Sequence, residues 1–324
     1  MSDEQGDMNA SASERAGMIE RVLMAGIEEQ RRARRWRIFF RLSGLALALI
    51  LLVLVGLRGG MSAGAGGSGP HTALVEIKGV IAAEGEASAD AISEALRAAF
   101  EDPQTTGVVL RVDSPGGSPV QAGIIYHEIR RLRAKHPSIP VIAVVEEICA
   151  SGGYYVAAAA DRIYVDRASI VGSIGVVMDG FGFVEAMKKL GVERRVMTAG
   201  ENKAFLDVFS PLEDRQRKHA QALLDEIHAQ FIEAVRAGRG DRLRDAPEIF
   251  SGLVWSGARS VELGLADGLG SLAQVAREQI GAERIVDFSR KESFADRVAR
   301  RLGAEGGRLF SEAWSAASST LRLR

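Results

Sequence analysis

The sequence predicts an α/β domain with mostly parallel strands, preceded by one N-terminal transmembrane helix. Three observations predict it. A long apolar run follows a basic cluster near the N-terminus, a Gly/Ser/Ala-rich stretch comes next, and short β-branched runs then alternate with helical patterns. With 324 residues, the chain is long enough for one large domain or two ordinary ones.

The N-terminal part predicts a membrane anchor. Residues 1–37 are interpreted as a cytoplasmic tail and residues 38–57 as a transmembrane helix, because about 20 helical residues cross the apolar core of a bilayer. Arginines lie before this span or at its start, and only Arg58 follows closely after it. The basic cluster consists of Arg31, Arg32, Arg34, Arg35, Arg37 and Arg41. By the positive-inside rule, the N-terminus stays in the cytoplasm and everything after residue 58 is exported.

Two other interpretations of the apolar run are weaker. A cleaved signal peptide would use the small residues of Met61–Ser68 as its cleavage site, but the run is longer than a usual signal core and starts about forty residues into the chain. A buried core helix is disfavoured because no polar face interrupts the run. Residues 58–71 are then a flexible linker that holds the next domain off the membrane.

Residues 72–287 carry the patterns of the folded domain. Five short apolar runs are expected to be strands: Ala73–Ile77, Val108–Val112, Val141–Val145, Ile163–Val165 and Arg195–Met197. Five helical patterns accompany them: Ala89–Phe100, Val120–Lys135, Gly153–Ala160, Phe183–Leu190 and Glu213–Arg236. In the tail, residues 288–324, apolar side chains at helical spacing predict a packing or oligomer helix rather than a membrane-surface one.

Composition disfavours several classes of function. The net charge of -1 gives no reason to expect nucleic acid as a partner. The single cysteine, Cys149, rules out an intrachain disulfide and does not decide the compartment. Neither a metal nor an organic cofactor is expected. The chain also lacks the His/Cys/Asp spacings of a zinc site.

Two glycine-bearing turns carry the strongest signal for chemistry. One follows the strand Val108–Val112 and reads Asp113–Gly117; the other follows Val141–Val145 and reads Glu146–Gly153. Ligands gather at the carboxyl ends of parallel strands, so both turns are expected at the same edge of the sheet. Gly-Gly pairs let backbone amides face a cleft and stabilise an oxyanion, and Ser151 stands at a strand-to-helix junction. Alternatively, Ser151 merely caps the helix and the glycines shape the turns.

A serine nucleophile needs a base, and the residues alone do not identify it. His127 and His136 fall on a helix with an exposed, charged face, and His219 and His228 on a long charged helix, so no Ser-His-Asp geometry is evident. Lys203 is the other candidate, in a loop after a predicted strand. A lone loop lysine is ordinarily a surface charge, and lysines act as bases only where burial makes them neutral.

Several characteristic stretches follow one another along the chain: Asp113–Gly117, Ala150–Tyr155, Val171–Val176, Ala199–Lys203 with Phe209–Pro211, Gly252–Gly257 and Glu262–Asp267. In this order they resemble the signal peptide peptidase A family, the S49 serine peptidases of bacterial inner membranes. The resemblance covers roughly residues 72–275, and the length is similar to the short form of the family. It implies a Clp protease/crotonase-like fold, a Ser-Lys dyad and peptide hydrolysis.

The resemblance also implies a role for each matched residue. Ser151 matches the nucleophile, Lys203 the general base and Ser173 a serine that orients the lysine, while Gly117 and Gly152 match the oxyanion-hole donors. Family members are homo-oligomers in which serine and lysine can come from neighbouring subunits. The implied substrates are signal-peptide remnants and other unfolded exported peptides, met by a periplasmic domain on a single-pass anchor in the inner membrane.

Four alternatives to this interpretation are kept in view. The chain resembles SohB-like membrane peptidases, which share the chemistry, and a membrane-tethered oligomeric scaffold of the same fold would lack activity. A crotonase-type enzyme acting on acyl-CoA would share the glycine turns, but export argues against it. Cys149 is a rival nucleophile, although on a strand-like turn it is expected to point away from Ser151 as a small buried thiol.

Overall fold

A computed structural model of the chain describes residues 34–50 and 69–289. Residues 34–50 form helix α1, whose residues are all exposed. No helix within these two ranges has both the length and the hydropathy that crossing a membrane requires. The expected anchor extends to residue 57, beyond the described helix, so it stays a prediction. Most of the expected cytoplasmic tail, linker and C-terminal tail also lies outside the described residues.

The second described range is organised around one sheet. Its strands are β1 (His71–Lys78), β2 (Thr105–Ser114), β3 (Val141–Ala150), β4 (Arg162–Val165), β5 (Ile170–Gly172), β6 (Val254–Ser256), β7 (Gly268–Leu269) and β8 (Ile285–Asp287). The main order is β6-β5-β3-β2-β1-β8, with β4 beside β3 and β7 beside β4. All pairs are parallel except β5 with β6. This parallel-rich α/β arrangement fits the Clp protease/crotonase-like fold.

Helices cover the sheet. Those of the second range are α2 (Ala89–Glu101), α3 (Pro119–Lys135), α4 (Gly152–Ala157), α5 (Val184–Lys189), α6 (Asp214–Arg239), α7 (Gly257–Glu262) and α8 (Leu272–Val275). The two-residue period of β1 divides its side chains between two apolar clusters. Ala73, Val75 and Ile77 join the larger cluster, with side chains of α2, α3 and α4, whereas Leu74 joins the smaller one beside α8.

The path of β3 leads directly to Ser151. Its first half pairs with β4 through Ile142–Val145, and its last residues pair with β5 through Ile148–Ala150. The strand therefore changes neighbours along its length and extends five residues past the expected end at Val145. Because β5 runs beside these last residues, the chain reaches Ser151 under hydrogen-bonded restraint from its neighbour.

The expected strand over Arg195–Met197 is wrong. These residues have no regular secondary structure, and Met197 is 99% exposed. Their β-branched and apolar character suggested a strand, but no strand pairs with them within the described chain. Strands β5 to β8 were not expected, because each has three residues or fewer, too few to show a two-residue alternation.

A buried ion pair fixes the end of α6. The Arg239 side chain is 1% exposed, and it donates to the Gly264 carbonyl at 2.9 Å and to the Asp267 carboxylate at 2.7 Å. Asp267 also accepts the Ile163 amide of β4 at 2.7 Å. Since a buried arginine is tolerated only where its donors are paired, this network ties α6 rigidly to the sheet.

Glu128 on α3 links α2 to α3. The carboxylate is buried and accepts from Arg131 at 2.7 and 2.9 Å and from Arg97 at 2.6 Å. The hydrogen bond from Arg131, reinforced by the one from Arg97, lowers the pKa of Glu128 from 4.5 to about 2. The unfolded carboxylate therefore takes up a proton at a higher pH than the folded one does.

We expect Glu128→Gln to lower the free energy of unfolding by about 1–2 kcal/mol at pH 7. This difference in the free energy of unfolding between the variant and the parent is fully present above pH 4.5. It is lost as the pH falls towards 2, because protonation of Glu128 in the parent removes the same interaction with the arginines. Urea unfolding at a series of pH values measures it, with Glu101→Gln, an exposed carboxylate at the end of α2, as the matched control. A gap that stayed constant down to pH 2.5 would contradict this account.

Candidate active site

The first glycine turn joins β2 to α3. The Ile81 amide donates to the Gly116 carbonyl, and the Ile81 carbonyl accepts from Ser118, both at 2.8 Å. Gly117 has a φ of 147°, and a Cβ there would stand 2.1 Å from the Ile81 carbonyl oxygen. Ser114 braces the turn, donating to the Gly79 carbonyl at 2.6 Å and accepting from the Gly116 amide at 3.1 Å. Position 117 therefore admits only glycine in this conformation.

The second turn places Ser151 between β3 and α4. Its amide donates to the Gly172 carbonyl at 2.8 Å, and its φ of 52° with ψ of −123° is a strained conformation for a residue with a Cβ. The interpretation of Ser151 as a simple helix cap does not hold, because its hydroxyl makes no capping hydrogen bond to α4. The hydroxyl is therefore available for chemistry.

The two turns meet at the edge of the sheet, as expected. A Cβ on Gly116 would stand 2.6 Å from the Gly152 amide nitrogen, and a Cβ on Gly152 would stand 3.3 Å from the Gly117 amide nitrogen. Neither the Gly117 nor the Gly152 amide donates to another group among the described residues. Two adjacent amides without acceptors beside a serine hydroxyl are the arrangement that stabilises a tetrahedral oxyanion.

A cavity of about 330 Å³ opens over these turns. Ser151, Gly117, Gly152 and Ser173 all line it. The remaining wall is largely apolar and is formed by Pro119, Tyr155, Gly175, Val176, Val177, Ile227, Gln230, Phe231, Ser251 and Gly252. Four of the five residues that the sequence analysis singled out therefore share one site.

An aromatic group fixes the wall of this cavity. The Tyr155 ring lies 4.9 Å from the Phe231 ring and 5.3 Å from the Tyr126 ring, measured between centroids. Burial raises the pKa of the Tyr155 hydroxyl, which keeps it neutral. This wall presents a largely apolar surface to the cavity.

Ser173 follows β5 in an unusual conformation. Its φ is 51°, and its amide donates to the Leu253 carbonyl at 2.7 Å. Gly172 before it also has a positive φ, of 116°. Because the turn carries Ser173 into the cavity that holds Ser151, both serines face the same space.

Lys203 lies elsewhere in the single chain. The side chain is exposed and is not among the residues that line the cavity. Its loop rests on the N-terminal half of α6, through the Glu201–Arg215 ion pair and the contact of Phe205 with His219 at 5.4 Å between ring centroids. The cavity wall uses the C-terminal half of the same helix, so the lysine loop and the cavity contact different halves of α6.

Cys149 is a buried thiol, as the strand alternation predicted. It is 0% exposed, and burial raises its pKa well above the ordinary value, so the reactive thiolate is disfavoured. Among the described residues, no group of three or more His, Cys, Asp and Glu side chains could hold a metal ion. Ser151 is thus the nucleophile candidate at this turn.

Sequence reasoning missed the contribution of α6 to the site. His228 Nε2 lies 3.0 Å from the Ile174 carbonyl oxygen, and Ile227 and Phe231 beside it line the cavity. Apolar spacing can indicate a buried face but cannot identify its neighbour, because the contact joins residues 54 apart in sequence. The signal was visible only as an apolar stripe on a charged helix.

Comparison with known proteins places these features in a family. The model of peptidase family S49 matches residues 133–284. A putative protease of Synechocystis is 33% identical over 61% of this chain and 69% of the relative. A putative signal peptide peptidase SppA of Enterococcus faecium is 29% identical over 63% of this chain and 61% of the relative.

Two further relatives are longer proteins that match this chain over only part of their length. Two Brucella proteins named Na(+)/H(+) antiporter NhaA, from B. melitensis and B. abortus, are each 48% identical to this chain over 186 residues. The match covers 57% of this chain and only 25% of each relative. The likeness therefore concerns one quarter of those proteins, and their name describes the whole of them.

Proposed function

This chain belongs to peptidase family S49, and we propose that it is a membrane-anchored serine endopeptidase with Ser151 as nucleophile and Lys203 as general base. One observation carries the proposal: the Ser151 hydroxyl, unused in capping, lines a cavity beside the acceptor-free amides of Gly117 and Gly152. Acyl transfer requires a nucleophile and oxyanion donors in this arrangement.

The residues then divide the reaction between them. The Lys203 amine takes the proton of the Ser151 hydroxyl while the serine oxygen attacks the scissile carbonyl. The amides of Gly117 and Gly152 bind the oxyanion, and Lys203 gives the proton to the leaving amine. Water then attacks the acyl-enzyme with Lys203 again as the base; the ester bond to Ser151 breaks, the acid product leaves, and Lys203 returns the proton to the Ser151 oxygen. Ser173 holds the lysine amine in position by a hydrogen bond.

Assembly completes this site. Because Lys203 is exposed outside the cavity of its own chain, we propose that it enters the cavity of a neighbouring subunit in a homo-oligomer. The segment that carries it exposes large apolar side chains that a second copy would cover. They include Val177, Phe181, Leu190, Val192, Met197 and Leu212.

The proposed substrates are signal-peptide remnants and other unfolded exported peptides. The largely apolar cavity wall suits them, and the Enterococcus relative is named as a signal peptide peptidase. The expected anchor at residues 38–57 would place the domain in the periplasm, at the surface of a bacterial inner membrane, with the N-terminus in the cytoplasm. A SohB-like peptidase would share this chemistry and location.

Covalent labelling tests the proposal directly. The full chain in detergent is treated with a fluorophosphonate, and hydrolysis of a fluorogenic apolar peptide is followed in parallel. We expect one adduct, on Ser151, and loss of hydrolysis in proportion to labelling. The Ser151→Ala variant takes up no label. An assembled parent chain that neither labels nor hydrolyses peptides would instead support the inactive scaffold.

A further inference from the structure

The turn after β5 holds a conformation that needs outside support. Gly172 and Ser173 have consecutive positive φ values, 116° and 51°, and the second belongs to a residue with a Cβ. Such a conformation costs energy and persists only where neighbouring groups over-determine it. The position of the Ser173 hydroxyl therefore depends on the groups that restrain this turn.

Several hydrogen bonds restrain the turn, beginning with the one that the Ser151 amide donates to the Gly172 carbonyl at 2.8 Å. The Ser173 amide donates to the Leu253 carbonyl at 2.7 Å, and the Gly175 amide donates to the Ser173 carbonyl at 2.9 Å. Another comes from a side chain, since His228 Nε2 lies 3.0 Å from the Ile174 carbonyl oxygen. A carbonyl only accepts, so this nitrogen carries the proton and donates. His228 thus supplies the side-chain contact among them, and a substitution can remove it.

The residues around His228 hold its imidazole against the turn. The Ile174 side chain is 0% exposed, and the imidazole of His228 is half-buried against the turn. The same face of α6 carries Phe231, which lines the cavity and packs on Tyr155. The buried Arg239–Asp267 pair fixes the C-terminal end of α6. The histidine therefore stands on a rigid support and reaches a carbonyl adjacent to Ser173.

We propose that His228 is a positioning residue: its Nε2–H holds the Ile174 carbonyl and so fixes the turn that aims the Ser173 hydroxyl into the cavity. This rests on the proposed function, in which Ser173 orients the catalytic lysine. Because Nε2 is occupied by the carbonyl, His228 acts through Ser173 rather than as a base for Ser151. Its loss should lower kcat while leaving KM nearly unchanged.

The first test compares two substitutions in the full chain in detergent. We expect His228→Leu to lower kcat about 10- to 100-fold, the usual effect of misplacing a catalytic group by about 1 Å. His228→Gln places an amide donor near the position of Nε2, and we expect it to recover kcat to within about threefold of the parent. His127→Leu, on the exposed face of α3, is the matched control and keeps the parental kcat. A Leu variant with parental kcat, or a Gln variant no better than Leu, overturns the proposal.

A double-mutant cycle with Ser173→Ala separates positioning from general structural damage. If His228 acts through Ser173, His228→Leu has no further effect on kcat in the Ser173→Ala background, to within about twofold. Effects that multiply show that His228 acts independently of Ser173 and reject the proposal. Ser151→Ala is measured alongside: retained activity there rejects the proposed function itself, whereas an inactive Ser151→Ala with a fully active His228→Leu rejects only the role of His228.

Discussion

Ser151→Ala and Lys203→Ala are each expected to lower kcat/KM for a fluorogenic peptide by at least about 10³-fold, because loss of a nucleophile or its base removes the covalent route. If the dyad forms between subunits, co-assembly of the two inactive chains restores activity. Each restored site takes Ser151 from one chain and Lys203 from its neighbour, so random mixing restores about a quarter of the parental activity.

Co-expression with two different affinity tags and sequential purification provides the mixed oligomer. Lys188→Ala, an exposed lysine on α5, is the matched control and keeps full activity. Mixed oligomers that stay inactive, with both single variants inactive, would place the dyad within one chain. A Lys203→Ala variant with parental activity would remove the base assignment and reopen the search among the histidines.

The exposed position of Lys203 shows where sequence reasoning stops. The order of the sequence motifs is sufficient to make Lys203 a candidate. Its loop, however, is held on α6 by contacts with Arg215 and His219, and no local sequence pattern predicts these contacts. The two glycine turns were predictable, because each ends a buried strand whose apolar run is long enough to recognise. Their meeting followed from the parallel sheet, without knowledge of any side-chain contact.

Short elements account for most of what the sequence did not predict. Strand β5 has three residues, yet its pairing with Ile148–Ala150 fixes the path of the chain into Ser151. The run Arg195–Met197 has the composition of a strand and forms none, because pairing requires a neighbour that a single described chain does not supply. Composition determined which residues were candidates, and tertiary pairing determined which of them formed strands.

The second large expected effect on catalysis comes from a substitution in the glycine turn Asp113–Gly117. Gly117→Ala is expected to lower kcat for peptide hydrolysis by about 10²- to 10³-fold, the usual cost of losing one oxyanion donor, with little change in KM. A methyl group at this position would stand 2.1 Å from the Ile81 carbonyl oxygen and require a φ of 147°. The turn must therefore shift and carry its amide away from the oxyanion.

Substitutions of two further glycines serve as comparisons for Gly117→Ala. Gly123→Ala, in α3, meets no atom within 4 Å and removes flexibility from a helix, so it should keep full activity and raise the melting temperature slightly. Gly152→Ala meets its nearest atom at 3.3 Å, a milder clash, and should lie between the two. Thermal unfolding of each variant shows whether the chain is folded. The rate of fluorophosphonate labelling shows whether the amide is displaced, since the adduct also forms through the oxyanion site. A folded Gly117→Ala variant that labelled and turned over at the parental rate would show that the Gly117 amide takes no part in binding the oxyanion.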